Sequence, residues 1–375
     1  MKKPLLWLLI MLLTVSMIAT FSLAGCKKEA VEKEVVEEVS EEEVVEEAAP
    51  VEEVAAELKK LRVAVMPFFL SAPVNYIVEQ GWDKEAGLDV DTILFSSGAT
   101  MNEALGAKLW DVAPTGGAAV FGVAAFGATF IGDFIDGTGG NEIYVRGDSD
   151  IAKIKGFNPT FPDLLGDPDT VKGKTFMYTA GTTSQMAMVK YLEAIGVAEE
   201  DVEKVHLEFP QVYQGFLAGE GDLAAMVSPF VFMAQEQGWV KAASLRSLGA
   251  LLLETVIAAP DAYANMKDEL AIFLNLLYRA NEEFENNPDL KFNAVKDWYV
   301  LNGAEDTKDL DERVQLECDL KSFLTKADVE NIEYGKYQRE YAEFLVSIDK
   351  LTPEQVDIVV DNTKVDILDR MKALE

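Results

Sequence analysis

The sequence predicts an α/β protein of two units, carried outside the cytoplasm. Three observations predict it. Apolar β-type runs alternate with helix-like stretches, a Pro-, Gly- and Asp-rich segment at 154–170 interrupts the alternation before it restarts, and the N-terminus reads as an export leader. Beyond an acidic segment ending near residue 57 roughly 315 residues remain, enough for two ordinary domains.

The leader comes first. Lys2 and Lys3 precede an apolar run from Leu5 to Ala19, and the stretch closes on Leu23, Ala24, Gly25 and Cys26. A short N-terminal apolar run with a small-small-Cys ending predicts a lipoprotein signal peptide over 1–25, cleavage before Cys26 and lipidation of the Cys26 sulfur. No later stretch has about 18 consecutive apolar residues. A lipidated Cys26 leaves Cys318, the other cysteine, with no intramolecular partner, so disulfides do not hold the predicted fold. In RVQLECDLKSFL, Cys318 reads as a small hydrophobe on a helix face.

Residues 26–57 form a segment of Glu, Val, Ala and Lys that buries too little to fold alone and reads as a solvated acidic spacer. Much of the net charge of −32 resides there. That acidity argues against nucleic acid or anionic lipid as a partner, and it says little about any pocket.

The first unit opens with LRVAVM, residues 61–66, stopped by Pro67 and followed by the helix-like SAPVNYIVEQGWDKEAG. Strand and helix then alternate: DVDTILFS, TMNEALGAKLW, DVAPTG, AAVFGVAAFG and ATFIGDF, with GNEIYVRGD (140–148) as a further strand. After the irregular 154–170 segment the pattern resumes as KTFMYT, SQMAMVKYLEAIG, VEKVHLEF, QVYQGFLAGEG, LAAMVS and PFVFMAQEQGW, a second unit over roughly 153–242. LLLETVIAAP supplies one more strand. Helical periodicity dominates after it, as in ELAIFLNLLYRANEEFEN and YGKYQREYAEFLVSI, and those helices must cover a sheet.

Within MYTAGTTSQMAM (177–188), the small residues Thr179 to Ser184 join a strand to a helix. Such a turn serves either as an ordinary Ser/Thr helix cap or as an anion site made of free N–H groups at a positive dipole end.

The motifs LRVAVM with EQGWDKEAGLDVD, LFSSGATMNEALGAKLWDVAPTG, VKGKTFMYTAGTTSQMAMVKYLEAIG and FLAGEGDLAAMVSPF, in this order and spacing, resemble the solute-binding proteins of ABC importers related to nitrate, aliphatic sulfonate, taurine and thiamine-precursor binding proteins. The resemblance implies a bilobed type II periplasmic-binding-protein fold: two α/β lobes joined by crossover hinge strands, with the C-terminal helices on the first lobe. It divides the chain into lobe 1 (58–152), lobe 2 (153–242) and a return to lobe 1 (243–375), with crossings near Val145–Ala152 and Ala243–Leu253. The implied function is capture of a small solute in the interlobe cleft and delivery to permease and ATPase subunits, at a bilayer reached through the Cys26 anchor.

Ligands of open α/β sheets bind beyond the carboxyl ends of the strands. The expected ligand-binding residues are therefore Phe68, Phe69, Leu70 and Ser71; Ser96, Ser97 and Gly98; Thr115, Gly116 and Gly117; Ala180, Gly181, Thr182, Thr183 and Ser184; and Gln211, Ser228 and Phe230. Related proteins often carry an aromatic or acidic residue where Ser228 stands. These loops hold hydroxyls, N–H groups and aromatics but no Lys or Arg, which favours a singly charged sulfonate or carboxylate or a neutral heteroaromatic over a multiply charged ion. The placement also tilts the 179–184 turn toward ligand contact. Asp133 and Asp136 either reach the cleft, favouring an amine, or face solvent.

The single histidine, His206, leaves no Ser-His-Asp set and no His-rich metal site, and there is no CxxC pair, so neither enzyme chemistry, a metal nor a cofactor is expected. A ligand-sensing or scaffold lipoprotein of the same fold is the alternative reading; the resemblance also admits a pyrimidine-biosynthesis-like enzyme, which a chain with His206 as its one histidine supports least.

Overall fold

The computed structural model describes residues 57–374 apart from 229, 306 and 307. The expected leader, Cys26 and the spacer up to residue 56 lie outside the described residues. The chain lays down β1 (Lys59–Val65), β2 (Leu88–Leu94), β3 (Val112–Thr115) and β4 (Thr129–Asp136), then β5 (Asn141–Val145), β6 (Thr175–Tyr178), β7 (Glu203–His206), β8 (Leu223–Val227) and β9 (Val240–Ser244), and finally β10 (Leu253–Ala258) and β11 (Ser322–Phe323). They form two sheets, in the orders β11-β4-β10-β3-β1-β2 and β7-β6-β8-β5-β9.

In the first sheet β1 runs parallel to β2 and β3, the arrangement that strand–helix–strand alternation produces. β10 is antiparallel to both β3 and β4 and lies between them. The second sheet repeats the plan, with β6 parallel to β7 and β8 and β5 antiparallel between β8 and β9. This is an α/β fold of two mixed sheets, the type II binding-protein architecture. The first crossing comes earlier than the expected Val145–Ala152: β5 already belongs to the second sheet, so the chain changes lobe at 137–140. The period of the β5 residues shows a strand but not its partner. The return crossing runs over 245–252. β9, VKAAS, was not anticipated from sequence, because a five-residue strand with one β-branched residue depends on the β5 edge it pairs with.

The C-terminal helices pack on the first sheet. The helix Lys267–Asn286 buries Leu270, Phe273, Leu274, Leu277 and Phe284, spaced three and four apart on one face. Polar ties fix its register: Tyr278 Oη donates to the Asp133 carbonyl at 2.7 Å, and Asn281 Nδ2 donates to the carbonyls of Phe134 and Leu324, both at 2.8 Å. Trp298 Nε1 donates to the Met66 carbonyl at 3.1 Å, fastening the next helix, Pro288–Tyr299, to the end of β1. Cys318 packs half-buried against the core, and burial pushes its thiol up to about 12, which keeps it protonated and unreactive.

Asp133 neither reaches the cleft nor faces solvent. It is 1 % exposed within the first lobe, Gln338 Nε2 donates to its Oδ1 at 2.6 Å, and its Oδ2 has no partner. Burial pushes this carboxyl up to about 7, with Gln338 pulling the other way. The folded-state value lies above the unfolded one, so the stability present in acid is lost as pH rises from the ordinary carboxylate range through about 7. Asp133→Asn keeps the acceptor for Gln338 and removes the titration. The variant's melting temperature should decline less between about pH 5 and about pH 8, and at the upper end it should be more stable by about 1–3 kcal/mol. A calorimetric pH series measures this, and an unchanged slope overturns the assignment.

Candidate functional site

Between the sheets, at the strand ends, lies an inner chamber of about 310 Å³. Loops of the first lobe contribute Phe68 and Leu70 after β1, Gly98 at the start of a helix, and Thr115 to Ala118 after β3. The second lobe contributes Thr183, Phe209 and Ser228, and the hinge contributes Gly137, Gly139, Gly140 and Asn141. Leu252 at the end of the return crossing and Glu254 in β10, with Lys321, complete the lining. The chamber opens into an apolar outer compartment of about 610 Å³ bounded by Phe121, Phe126, Gly181, Thr182 and Tyr341. Gly98, Gly117, Ala118, Thr183 and Phe209 border both spaces.

Three polar atoms lining the inner chamber are buried without a hydrogen-bond partner: Thr115 Oγ1, Ser228 Oγ and Glu254 Oε2. Buried polar groups are ordinarily paired, and three orphans from three strand ends around one cavity are what a ligand site leaves when empty of its ligand. Beside them the backbone N–H groups of Gly116, Gly117 and Ala118 have no acceptor among the described residues. They precede the helix Ala119–Phe126, so their donors and the helix dipole point the same way for a negative group.

The other helix-start turn is differently disposed. Thr179 N–H donates to Ser184 Oγ (3.1 Å), Ala180 N–H to His206 Nδ1 (3.0 Å), Gly181 N–H to Gln185 Oε1 (2.7 Å) and Ser184 N–H to Thr182 Oγ1 (3.2 Å). Those donors are consumed by the turn itself and by His206. The turn is therefore only partly self-capped: the N–H groups of Thr182 and Thr183 have no acceptor among the described residues, and the turn offers Thr183 to the inner chamber and Gly181 and Thr182 to the outer one. A basic residue does stand beside it: a Cβ built on Gly181 would lie 3.4 Å from Lys350 Cε, which arrives from the distant C-terminal region.

Of the expected residues, Phe68, Leu70, Gly98, Thr115, Gly116, Gly117, Thr183 and Ser228 meet at the inner chamber. Others are occupied elsewhere. Phe69 is fully buried and stacks on Phe323 with centroids 4.6 Å apart, and Ser71 Oγ accepts from the Met66 N–H at 3.0 Å. Ser96 is exposed and Ser97 caps the helix Gly98–Gly106 in a capping box with Thr100. Ala180 packs against the core, and Ser184 is fully buried with its Oγ donating to the Ala225 carbonyl at 2.9 Å. Gln211 closes a capping box with Glu208, and Phe230 packs toward Tyr213 in the second-lobe core. Asp136 pairs with Arg246 at 3.2 Å.

Sequence reasoning missed Phe209, Glu254 and Lys321. Glu254 had a signal: it is the one carboxylate inside the apolar run LLLETVIAA. Lys321 had none, because it reaches the chamber only through the packing of the helix Leu310–Leu320. Lys321 Nζ donates to Glu317 Oε1 at 2.6 Å, and Glu317 Oε2 also accepts from Tyr299 Oη at 2.5 Å. Burial works against the Lys321 charge, yet Glu317 and Glu254 raise its pKa above the ordinary value. Burial pushes the Glu254 carboxyl up, and Lys321 pulls it back.

Two mixed α/β sheets, each threaded by a crossing strand and facing a chamber at their strand ends, define a two-lobed extracytoplasmic solute-binding protein. The model of the NMT1-like family matches residues 54–291, and the chain belongs to that family. It is 34% identical over 308 residues, covering 82% of this chain and 88% of the relative, to a protein of Brachyspira hyodysenteriae that bears the name of an ABC transporter periplasmic binding protein. A Bacillus subtilis relative named as an aliphatic sulfonates-binding protein is 26% identical over 325 residues, covering 82% of this chain and 87% of the relative. The fold matches the crystal structure of the periplasmic aliphatic sulphonate binding protein SsuA from Escherichia coli, with TM-score 0.63 and 16% identity over 80% of this chain and 96% of that one. These relatives are transporter binding proteins, and this chain is a binding protein and not an enzyme.

The hinge is tightly fitted. A Cβ on Gly139 would lie 2.1 Å from the Leu320 carbonyl oxygen, and one on Gly140, whose φ is +76°, would lie 2.2 Å from Ser228 Oγ. Gly139→Ala should therefore destabilise the protein by about 1–3 kcal/mol in urea unfolding, because backbone must move to admit the methyl group; a change within error would show that the hinge yields freely.

Proposed function

We propose that this solute-binding component of an ABC importer captures a small organic solute in the inner chamber and delivers it to permease and ATPase subunits while held at the membrane by a lipid on Cys26. The observation that carries the reading is the convergence of Thr115 Oγ1, Ser228 Oγ and Glu254 Oε2, all unpartnered, with the free N–H groups of Gly116 to Ala118 around one interlobe cavity. Its lining comes from both lobes and both crossings, so an occupant bridges the lobes and favours their closure.

A volume of about 310 Å³ suits a small organic molecule, and the N–H groups at the helix start suit one singly charged acid group such as a sulfonate or carboxylate. The names of the Bacillus subtilis and Escherichia coli proteins support the sulfonate class. Phe68 and Phe209 border the chamber, and the apolar outer compartment offers room for an organic body.

A cognate solute should stabilise the purified full chain by RT ln(1 + [L]/Kd), about 2.7 kcal/mol at a hundredfold excess over Kd. A thermal-shift panel of alkyl and aryl sulfonates and carboxylates tests this, and silence across the panel counts against solute binding. Ala118→Pro addresses the N–H groups directly. Ala118 already has φ −61°, so proline deletes one free donor while suiting the backbone angle. Affinity for an acidic solute should fall about tenfold or more by calorimetric titration, with little change in unliganded stability; unchanged affinity would remove this helix start from the site.

A further inference from the structure

The inner chamber is lined by a carboxyl group that has no partner of its own. Glu254 makes no hydrogen bond or ion pair among the described residues, and its Oε2 is shut off from solvent. The hinge side leaves little slack, since a Cβ on Gly137 would lie 3.0 Å from Glu254 Oε1. Titratable groups face this carboxyl from several elements. Lys321, just beyond the helix Leu310–Leu320, attracts it, but Lys321 Nζ is bonded to Glu317 Oε1 at 2.6 Å and Glu317 opposes ionisation of Glu254. Asp136, at the end of β4, opposes it too and is paired with Arg246 of the return crossing at 3.2 Å. Tyr337, on the helix Lys336–Ser347, brings a hydroxyl held protonated by its burial and then by Tyr341, Asp133 and Glu254. Burial outweighs the pull of Lys321 and holds the Glu254 carboxyl above the ordinary carboxylate range.

An acidic solute tips this balance further. Its acid group, on the free N–H groups of Gly116 to Ala118, shares a space of about 310 Å³ with Glu254. Two like charges shut into one small chamber resist joint ionisation unless a cation stands between them, and Lys321 is held by Glu317. A proton on Glu254 removes the repulsion. It also supplies a donor, because a carboxylic acid carries an O–H whereas a carboxylate only accepts. The orphaned carboxyl then gains a charge-assisted hydrogen bond to the solute's acid oxygen.

Building on the solute-binding reading above, we propose that the chamber captures an acidic solute together with a proton: Glu254 takes the proton from solvent and, as the neutral acid, donates a hydrogen bond from its carboxyl to the solute. No covalent bond within the solute forms or breaks. The protonated protein is the form competent to bind, so affinity is full in acid and is lost as pH rises through the titration of Glu254 in the empty chamber. Capture is thereby pH-dependent although the solute itself does not titrate.

Methanesulfonate, propane-1-sulfonate and benzenesulfonate stay ionised throughout the working range, so any pH dependence of their binding belongs to the protein. Calorimetric titration of the purified full chain from about pH 5 to about pH 9 should show the association constant falling, with a limiting slope of about tenfold per pH unit. Titrations at about pH 7.5 in phosphate and in Tris, whose ionisation heats differ, should show net proton uptake on binding. Glu254→Gln keeps the shape, offers a neutral N–H donor and removes the titration. Its affinity should not vary with pH, and at about pH 9 it should exceed that of the unsubstituted protein by about tenfold or more. Glu254→Leu, with no donor, should be equally insensitive to pH and bind about tenfold more weakly than Glu254→Gln. Asp133→Asn removes the other raised carboxyl and should leave the pH dependence of binding in place. Binding that is flat with pH and takes up no proton overturns the proposal and leaves solute binding standing, as does a pH dependence that survives Glu254→Gln. Should that variant fail to fold, the proton count of the unsubstituted protein decides. No heat from any of the three sulfonates at any pH overturns the solute reading and this proposal with it.

Discussion

Each sheet is completed through its middle by an antiparallel strand that the chain lays down as it crosses between lobes. β5 enters the second sheet between β8 and β9, and β10 returns to the first between β3 and β4. Neither sheet is continuous without the crossing, so the lobes cannot fold as independent beads, and the hinge must be short. The glycines at 137, 139 and 140 meet that demand where side chains would collide with Glu254, the Leu320 carbonyl and Ser228. The same constraint brings the hinge residues and the start of β10 to the cleft, so the segments that join the lobes also furnish the chamber.

Placement and electrostatics in the chamber follow from this threading. Glu254 stands at the start of the returning strand β10, one residue before Thr255, which opposes Thr115 in the antiparallel pairing with β3. Charge on the chain as a whole has little bearing here. The net charge of −32 is spread over surface and spacer, whereas the chamber is governed by a few groups: Glu254 unpaired, Lys321 held by Glu317, and N–H groups with nothing to bond. The polar interior of the first lobe behaves differently. Asp133 receives the Gln338 amide and is remote from any ligand role, although sequence alone left it open as a cleft residue.

Much of the candidate site was legible because strand ends are legible. Thr115, Gly116, Gly117, Gly98, Thr183 and Ser228 each follow an apolar run or open a helix, and all line the chamber. Phe69, Ser71, Ser184 and Gln211 satisfy the same local pattern yet turn inward or cap helices, since neighbours one to five residues away, or a distant ring such as Phe323, claim them. The turn at 179–184 shows the difference most clearly. Its composition fits an anion site, and Ser184, Gln185, His206 and Thr182 occupy four of its N–H donors, while those of Thr182 and Thr183 have no acceptor among the described residues.

By itself the sequence determined the alternation of strands and helices, the pair of α/β units, the C-terminal helical cover and the family, because these rest on periodicities and turn residues that act within a few positions. Tertiary structure alone decided which strand crosses where, which loop donors remain free, and that Glu254 and Lys321 share a chamber with the β3 loop. The physical reason is that an orphaned donor or acceptor is defined by what fails to reach it. That depends on segments far apart in the chain, and only the packed fold brings them together.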